Sequence, residues 1–150
     1  MKRQHEGDGF MRVLNRLCGA ILLGLTLMGN SYADEPTGVE AARAVIQSQL
    51  SAFEDEAVQS AYGYAAPNIQ KIFPNPEVFG RMVREGYPMV WNPSETSFLD
   101  AEMRGETIVQ RLRIIDQAGT PFIAEYMMVQ VKGEWRIAGV QIKKDDSYGV

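Results

Sequence analysis

The spacing of apolar residues changes at about residue 97, and this change constrains the fold more than any other feature of the chain. Before Ser97, apolar residues recur every three or four positions, which is typical of helices with one buried face. From Ser97 onward, apolar and polar residues alternate, which is typical of strands that bury one face of a sheet. A run of helices followed by a run of strands predicts an α+β domain.

The first helix is indicated by a capping box, in which Thr37 is the N-cap and Glu40 lies three residues later. An apolar stripe follows and predicts a helix that ends in the acidic run at residues 54–56. Acidic residues suit a helix N-terminus, so we expect Asp55 to cap a second helix.

A third helix is expected between Asn75, a good N-cap, and Gly86, a residue type that often follows a helix end. Pro76 fits the first helical position, where its missing N–H is harmless. The sequence therefore predicts three helices before the sheet. The chain has 150 residues, enough for one ordinary domain.

Four strands are expected after the helices. The turn signals near Gly105, Gly119 and Gly133 leave only short connections, so neighbouring strands must be antiparallel. We expect the helices to pack on one face of a curled sheet. The predicted strands are Ser97–Arg104, Thr107–Asp116, Phe122–Val131 and Trp135–Lys143.

The last turn predicts the register of the third and fourth strands. A two-residue loop at 132–133 pairs Val131 with Glu134 and places Gly139 opposite Tyr126. A glycine at that position suggests a bend or bulge that curls the sheet around the helices.

This register places polar side chains on the otherwise apolar face of the sheet, beside aromatic ones. Such groups can orient a ligand in a pocket, or they can satisfy buried backbone groups. Both interpretations stay open at this point. Tyr62, on the second helix, is a further candidate because its phenol could line the mouth of the same pocket. The candidate pocket-lining residues are Gln110, Tyr126, Gln130, Trp135, Gln141 and Tyr62.

The opposite face of the sheet mixes charged and apolar residues. Asp100 and Glu102 resemble an acid–base pair, but the register sets them beside arginines, which favours a solvated charge network. The apolar residues of this face are either scattered surface residues or the interface of a homodimer or of another protein complex.

Residues 1–33 have the pattern of a secretory signal peptide. An uncharged run at 17–28 follows two arginines, and Ser31-Tyr32-Ala33 fits a cleavage site. The run is too short to span about 30 Å of hydrocarbon as a helix. We expect cleavage after Ala33, a single mature domain at 34–150, a periplasmic or secreted location, and membrane contact only before cleavage. An uncleaved anchor is the alternative.

Cleavage would remove His5 and Cys18, the chain's only histidine and only cysteine. A mature chain without them cannot build a Ser-His-Asp or Cys-His nucleophile, a thiolate centre or a histidine-ligated metal or haem. The formal net charge would change from −4 to −6, because four basic and two acidic residues are lost. An acidic chain without a basic cluster argues against nucleic-acid binding. No cofactor is indicated.

Short segments spread over the expected mature domain carry a resemblance to a known family. The segments are Val45–Phe53, Gly86–Val90 and Trp135–Gly139, with single residues at Pro93, Phe98, Gln110, Asp116, Gly119 and Tyr126. They resemble an uncharacterised bacterial family, domain-of-unknown-function family 4864. The predicted fold is similar to the nuclear-transport-factor-2-like cone, in which helices precede a curled sheet. The segment Gly-Glu-Trp-Arg-Ile leads into the last predicted strand. The resemblance implies an α+β cone and supplies no catalytic residues, because relatives with this shape differ in function.

Three functions are compatible with these observations. The first is an exported, non-catalytic module that binds a small apolar ligand or a protein. The second is a cofactor-independent isomerase or lyase that uses tyrosine and carboxylate groups. The third is a structural dimerisation module with a filled interior. An open cavity without an acid favours the first, an acid beside a cavity tyrosine favours the second, and closed packing favours the third.

Overall fold

The structure of the protein, a computed structural model, describes residues 37–147. The expected signal peptide and its cleavage site lie outside the described residues. Within them, helices precede strands, which confirms the α+β prediction. The elements are α1 Gly38–Glu54, α2 Val58–Gly63, α3 Pro67–Ile72, α4 Pro76–Gly86, α5 Pro88–Trp91, β1 Glu95–Arg104, β2 Thr107–Ile115, β3 Pro121–Val131 and β4 Glu134–Lys144.

Helix α1 begins with the predicted capping box. The Thr37 hydroxyl oxygen accepts from the Glu40 backbone N–H at 3.4 Å, and the Glu40 carboxylate accepts from the Thr37 N–H at 2.9 Å. The buried stripe of α1 packs on β2, β4, α2 and α5. Its buried residues are Ala42, Ile46, Gln49, Leu50, Ala52 and Phe53.

The helical half is more divided than the sequence suggests. Asp55 does not cap α2 but forms the C-cap of α1, because its N–H still bonds to the Ser51 carbonyl. Helix α4 is the predicted third helix, with the Asn75 side chain accepting from the Val78 N–H at 2.9 Å. Helices α3 and α5 have six and four residues, too short to show an apolar period, and both begin at a proline.

The sheet has the predicted antiparallel order β1-β2-β3-β4. The turn between β3 and β4 is the expected two-residue loop, since Val131 pairs with Glu134. Its residues Lys132 and Gly133 have φ of 53° and 81°. Two successive positive φ values are typical of the tight turns whose twist matches that of the strands they join.

Beyond this turn the predicted register is wrong by one residue. Met128 pairs with Ile137 and Met127 with Gly139, so Ala138 is the extra residue of a β-bulge. Tyr126 therefore lies opposite Val140 and not opposite Gly139.

Beyond the bulge, each residue of β4 lies on the face opposite to the one predicted, because side chains alternate between the two faces along a strand. Val140 and Ile142 lie on the inner face, which packs against the helices. Gln141, predicted on that face, pairs with Glu125 on the outer face and is exposed. This corrects the predicted position of Gln141.

A second bulge interrupts β1. Phe98 pairs with Leu112 and Ala101 with Gln110, so Leu99 and Asp100 together oppose one residue of β2. Bulges bend a strand and increase its twist. The two bulges are therefore the points at which we expect the sheet to bend.

The free edge of β4 is joined to the helices next to its bulge. The Ile137 N–H donates to the Tyr64 carbonyl at 2.9 Å, and the Ile137 carbonyl accepts from the Ala66 N–H at 2.8 Å. The Asn68 side chain donates to the Ala138 carbonyl at 2.8 Å. These bonds fix the position of β4 relative to α2 and α3.

None of the helices within residues 37–147 has the length and apolar character needed to cross a membrane.

Candidate functional site

A cavity of about 220 Å³ lies between the helices and β4. Tyr87 and Val140, at its border, are 42% and 37% exposed, so the cavity is open to solvent there. The bulge in β4 is what directs Val140 and Ile142 to this side of the sheet. The lining residues are Gln49, Phe53, Ala65, Ile69, Phe73, Phe79, Met82, Val83, Tyr87, Val90, Ile137, Gly139, Val140 and Ile142.

Aromatic rings form one wall of the cavity. The Phe79 ring lies 5.9 Å from the rings of Phe53 and Phe73 and 5.6 Å from that of Tyr62, centroid to centroid. Tilted and edge contacts at these distances are favourable for aromatic pairs. The wall is therefore a packed cluster, and three of its members also face the cavity.

Gln49, on α1, is a buried polar side chain in the lining. It is 4% exposed, and its Nε2 donates to the Ala61 carbonyl of α2 at 3.0 Å. Its Oε1 accepts no hydrogen bond from any residue within 37–147. With Nε2 engaged by α2, Oε1 is the polar atom that Gln49 offers to the cavity.

Gln110, on β2, is fully buried and has partners for both ends of its amide. Its Oε1 accepts from the Arg43 Nε at 2.8 Å, and its Nε2 donates to the carbonyls of Leu99, Asp100 and Arg111 at 2.7–3.1 Å. The Arg43 Nη2 also donates to the Leu99 carbonyl at 2.9 Å. Gln110 thus stabilises the β1 bulge and links it to α1 through hydrogen bonds.

The two candidate tyrosines do not present free hydroxyls to the cavity. The Tyr62 hydroxyl donates to the Phe73 carbonyl at 2.5 Å. Tyr126 is fully buried on β3 outside the cavity lining, and its hydroxyl has no partner among the described residues. This burial raises the pKa of Tyr126 above that of an ordinary tyrosine.

The remaining candidates lie at other parts of the sheet. Gln130 is exposed and Trp135 half-buried, and both line a shallow depression beside the turns at Gly105 and Gly133. Gln141 lies on the outer face. The structure therefore does not bring the six predicted residues together, and none of them lines the cavity.

Asp100 and Glu102 of β1 both form ion pairs with arginines. Asp100 is 2.8 Å from Arg111 of β2, as expected, whereas Glu102 is 2.8 Å from Arg104 of its own strand. The hydrogen bond from Arg104 lowers the pKa of Glu102. Within residues 37–147, no group of three or more His, Cys, Asp or Glu side chains could hold a metal ion. The cavity lining, all of it within that range, contains no Asp, Glu, His, Lys or Arg.

The sequence of residues 37–150 matches the family model described as a domain of unknown function (DUF4864). The chain belongs to the DUF4864 family. The match covers the whole range that the structure describes and confirms the resemblance seen in the sequence. No curated protein matches this DUF4864 chain.

Solved structures with a similar fold include two proteins of unknown function that are described as NTF2-like. One, from Shewanella baltica OS155, has a TM-score of 0.50 and 12% identity over 74% of this chain and 98% of that chain. The other, from Burkholderia xenovorans LB400, has a TM-score of 0.47 and 12% identity over 75% and 88%. The first likeness shows that this DUF4864 chain has an NTF2-like fold.

Sequence reasoning missed Gln49, although a signal for it was present. Gln49 lies three residues after Ile46 and four before Phe53, so it falls on the apolar stripe of α1. A glutamine within such a stripe is buried with the stripe and needs hydrogen-bond partners there.

Proposed function

We propose that this protein binds a small apolar ligand in the cavity between the helices and β4 and does not catalyse a reaction. The observation that carries the proposal is an open cavity of about 220 Å³ with aliphatic and aromatic walls. An apolar cavity of about 150 Å³ binds benzene, whereas pockets for drug-sized ligands begin at roughly 300 Å³. The ligand expected here is therefore the size of one substituted ring or of a short aliphatic chain.

The composition of the lining favours binding over acid–base chemistry. An isomerase or lyase of the kind considered above needs a proton donor and a carboxylate at the reacting atoms. The described lining has no carboxylate, and the Tyr62 hydroxyl already donates to a backbone carbonyl. These contacts support the non-catalytic alternative.

We further propose that the domain acts outside the cytoplasm. Support comes from the signal-peptide pattern of residues 1–33 and from the small residues at the expected cleavage site after Ala33. The mass of the protein recovered from its own compartment gives the cleavage site, and loss of residues 1–33 is the expected result. A mass that retains those residues would contradict export by cleavage.

A homodimer through the outer sheet face stays a prediction. On that face Val109 and Ile123 are only 8% and 5% exposed in the single chain, while Met127 is 43% exposed. Much of the apolar surface there is thus already covered by neighbouring side chains. The assembly mass in native mass spectrometry measures whether a dimer forms.

The ligand proposal is tested with a variant that fills the cavity. Val83 lines the cavity from α4 and is 6% exposed, so Val83→Phe would place a ring in the ligand's space. Toluene, measured by calorimetry or by NMR shifts, is expected to bind the wild type and to lose about tenfold or more in affinity in this variant.

Val129→Phe is the matched control, because Val129 lies on the outer face, paired with Arg136, away from the cavity. It is expected to leave toluene affinity unchanged. Absence of toluene binding to the wild type, or equal affinities in the wild type and Val83→Phe, would contradict the proposal.

A further inference from the structure

We propose that the ligand carries a hydroxyl or N–H group on its apolar body, and that the Oε1 of Gln49 accepts a hydrogen bond from it. The ligand class is then that of small uncharged alcohols, phenols and N–H heterocycles. This inference rests on the proposed function and adds to it the polar group by which the cavity selects its ligand.

The orientation of the Gln49 amide follows from one hydrogen bond. The Ala61 carbonyl lies 3.0 Å from Nε2, and a carbonyl can only accept. Rotating the amide by half a turn would set two oxygen atoms against each other at that distance. Nε2 therefore faces α2, and Oε1 is left for another donor.

Gln49 is also too deeply placed for its Oε1 to be treated as a surface atom. The residue is 4% exposed, and Oε1 has no donor among residues 37–147. Oε1 is nevertheless not among the fully enclosed unpaired atoms of the described residues, so a molecule in the cavity can reach it. Since the large majority of polar groups in protein interiors have a partner, a ligand donor in the cavity would supply the partner that the chain does not.

The other lining groups narrow the class of ligand. Among the described lining residues, Tyr87 is the other side chain with a strong hydrogen-bonding group, and at 42% exposure it can bond to solvent. The absence of Lys, Arg, Asp and Glu from that lining leaves no partner for a charged group. An apolar molecule with a neutral donor therefore fits the cavity better than either a hydrocarbon or a carboxylate.

The test compares phenol with toluene, two probes of nearly equal size that differ in one donor group. Their affinities are measured by calorimetry on the wild type, on Gln49→Met and on Gln47→Met, each produced from the full chain. Gln47 lies on the same helix and is exposed, so it controls for the change of residue type. The quantity compared is the ratio of phenol affinity to toluene affinity in each protein, which cancels effects common to both probes.

The ratio is expected to fall about fivefold in Gln49→Met and to stay unchanged in Gln47→Met, the size of effect typical of one neutral hydrogen bond. An unchanged ratio in Gln49→Met would overturn the inference, including the case in which both affinities fall equally because the cavity is distorted. Because an affinity ratio requires that toluene binds the wild type, that outcome would not contradict the proposed function. If neither probe binds the wild type, the proposed function fails and this inference with it.

Discussion

Two glutamines are buried between the helices and the sheet, and they differ in what surrounds their amides. Gln110 is fully buried where α1 meets β1 and β2, and donors and acceptors of the chain occupy both ends of its amide. Gln49 lies where α1 and α2 meet the cavity, and one end of its amide is engaged. The first arrangement is what a structural glutamine requires, and the second leaves a hydrogen-bonding position for a ligand.

The two candidate tyrosines show the opposite arrangement, because the hydroxyl nearer the cavity is paired and the one in the core is not. Tyr62, in the aromatic wall beside the cavity, has a hydroxyl that donates to a carbonyl. Tyr126 is fully buried and has a hydroxyl without a partner among the described residues, but it does not line the cavity. An unpaired polar group thus indicates a ligand site only where there is space for a ligand.

The largest effect on stability is expected from breaking the Gln110 network. Gln110→Met should lower the free energy of unfolding by about 3 kcal/mol, because it leaves the Arg43 Nε and the Asp100 carbonyl without their partners inside the protein. Gln49→Met should cost about 1 kcal/mol or less, since it also removes an unpaired acceptor. Urea denaturation measures both values, and equal losses would contradict the distinction between the two glutamines.

A smaller effect is expected from removing one hydroxyl at a time. Tyr62→Phe should lower the free energy of unfolding by about 1 kcal/mol, because the Phe73 carbonyl loses its 2.5 Å donor. Tyr126→Phe should leave stability unchanged or raise it, because the hydroxyl that it removes is buried and unpaired. A clear loss of stability in Tyr126→Phe, measured by thermal unfolding, would show that its hydroxyl has a partner.

The smallest effect of the two glutamines on stability is expected when the pH changes. An amide does not titrate, so neither glutamine should respond to acid. The acid response should instead involve Asp145, which is 8% exposed at the end of β4. Hydrogen bonds from Ser147, and then from Arg113 at 3.1 Å, lower its pKa. A lowered pKa stabilises the fold above the ordinary value of about 3.9, and this contribution is lost as pH falls below it.

The loss of stability between pH 6 and pH 3, followed by urea denaturation, should therefore be smaller in Asp145→Asn than in the wild type. Asp146→Asn is the matched control, since its side chain is exposed and the same charge is removed. The two glutamine variants should keep the wild-type pH profile. Equal profiles for Asp145→Asn and the wild type would exclude a role for Asp145.

The local signals in the sequence predicted most of the fold. The capping box of α1, the Asn75 cap of α4 and the tight turn at Lys132 and Gly133 each depend on a few neighbouring residues, and each is present. Alternation of apolar residues predicted the strands, and the short turns between them predicted their order and antiparallel direction. These features need no knowledge of distant contacts.

Gly139 indicated a bend or bulge in β4, but the resulting register, the bulge in β1 and the cavity could not be predicted in the same way. A bulge shifts the register by one residue, and the small side chains of Ala138 and Gly139 show no preference for either face. Gln141 was consequently assigned to the wrong face. The state of Gln49 depends on the Ala61 carbonyl, which lies 12 residues further along the chain.

The bulge at Ala138 also has a consequence for how a protein of this shape can diverge. If Ala138 took a regular pairing position and the bulge were lost, Gln141 would lie on the inner face and Val140 and Ile142 on the outer face, while the pairing from Met128 to the turn stays intact. A shift of register by one residue would thus exchange an aliphatic cavity wall for a polar one without replacing any residue of the central core. In such a fold, ligand preference can change through the register of one edge strand, independently of the amino acids that stabilise the domain.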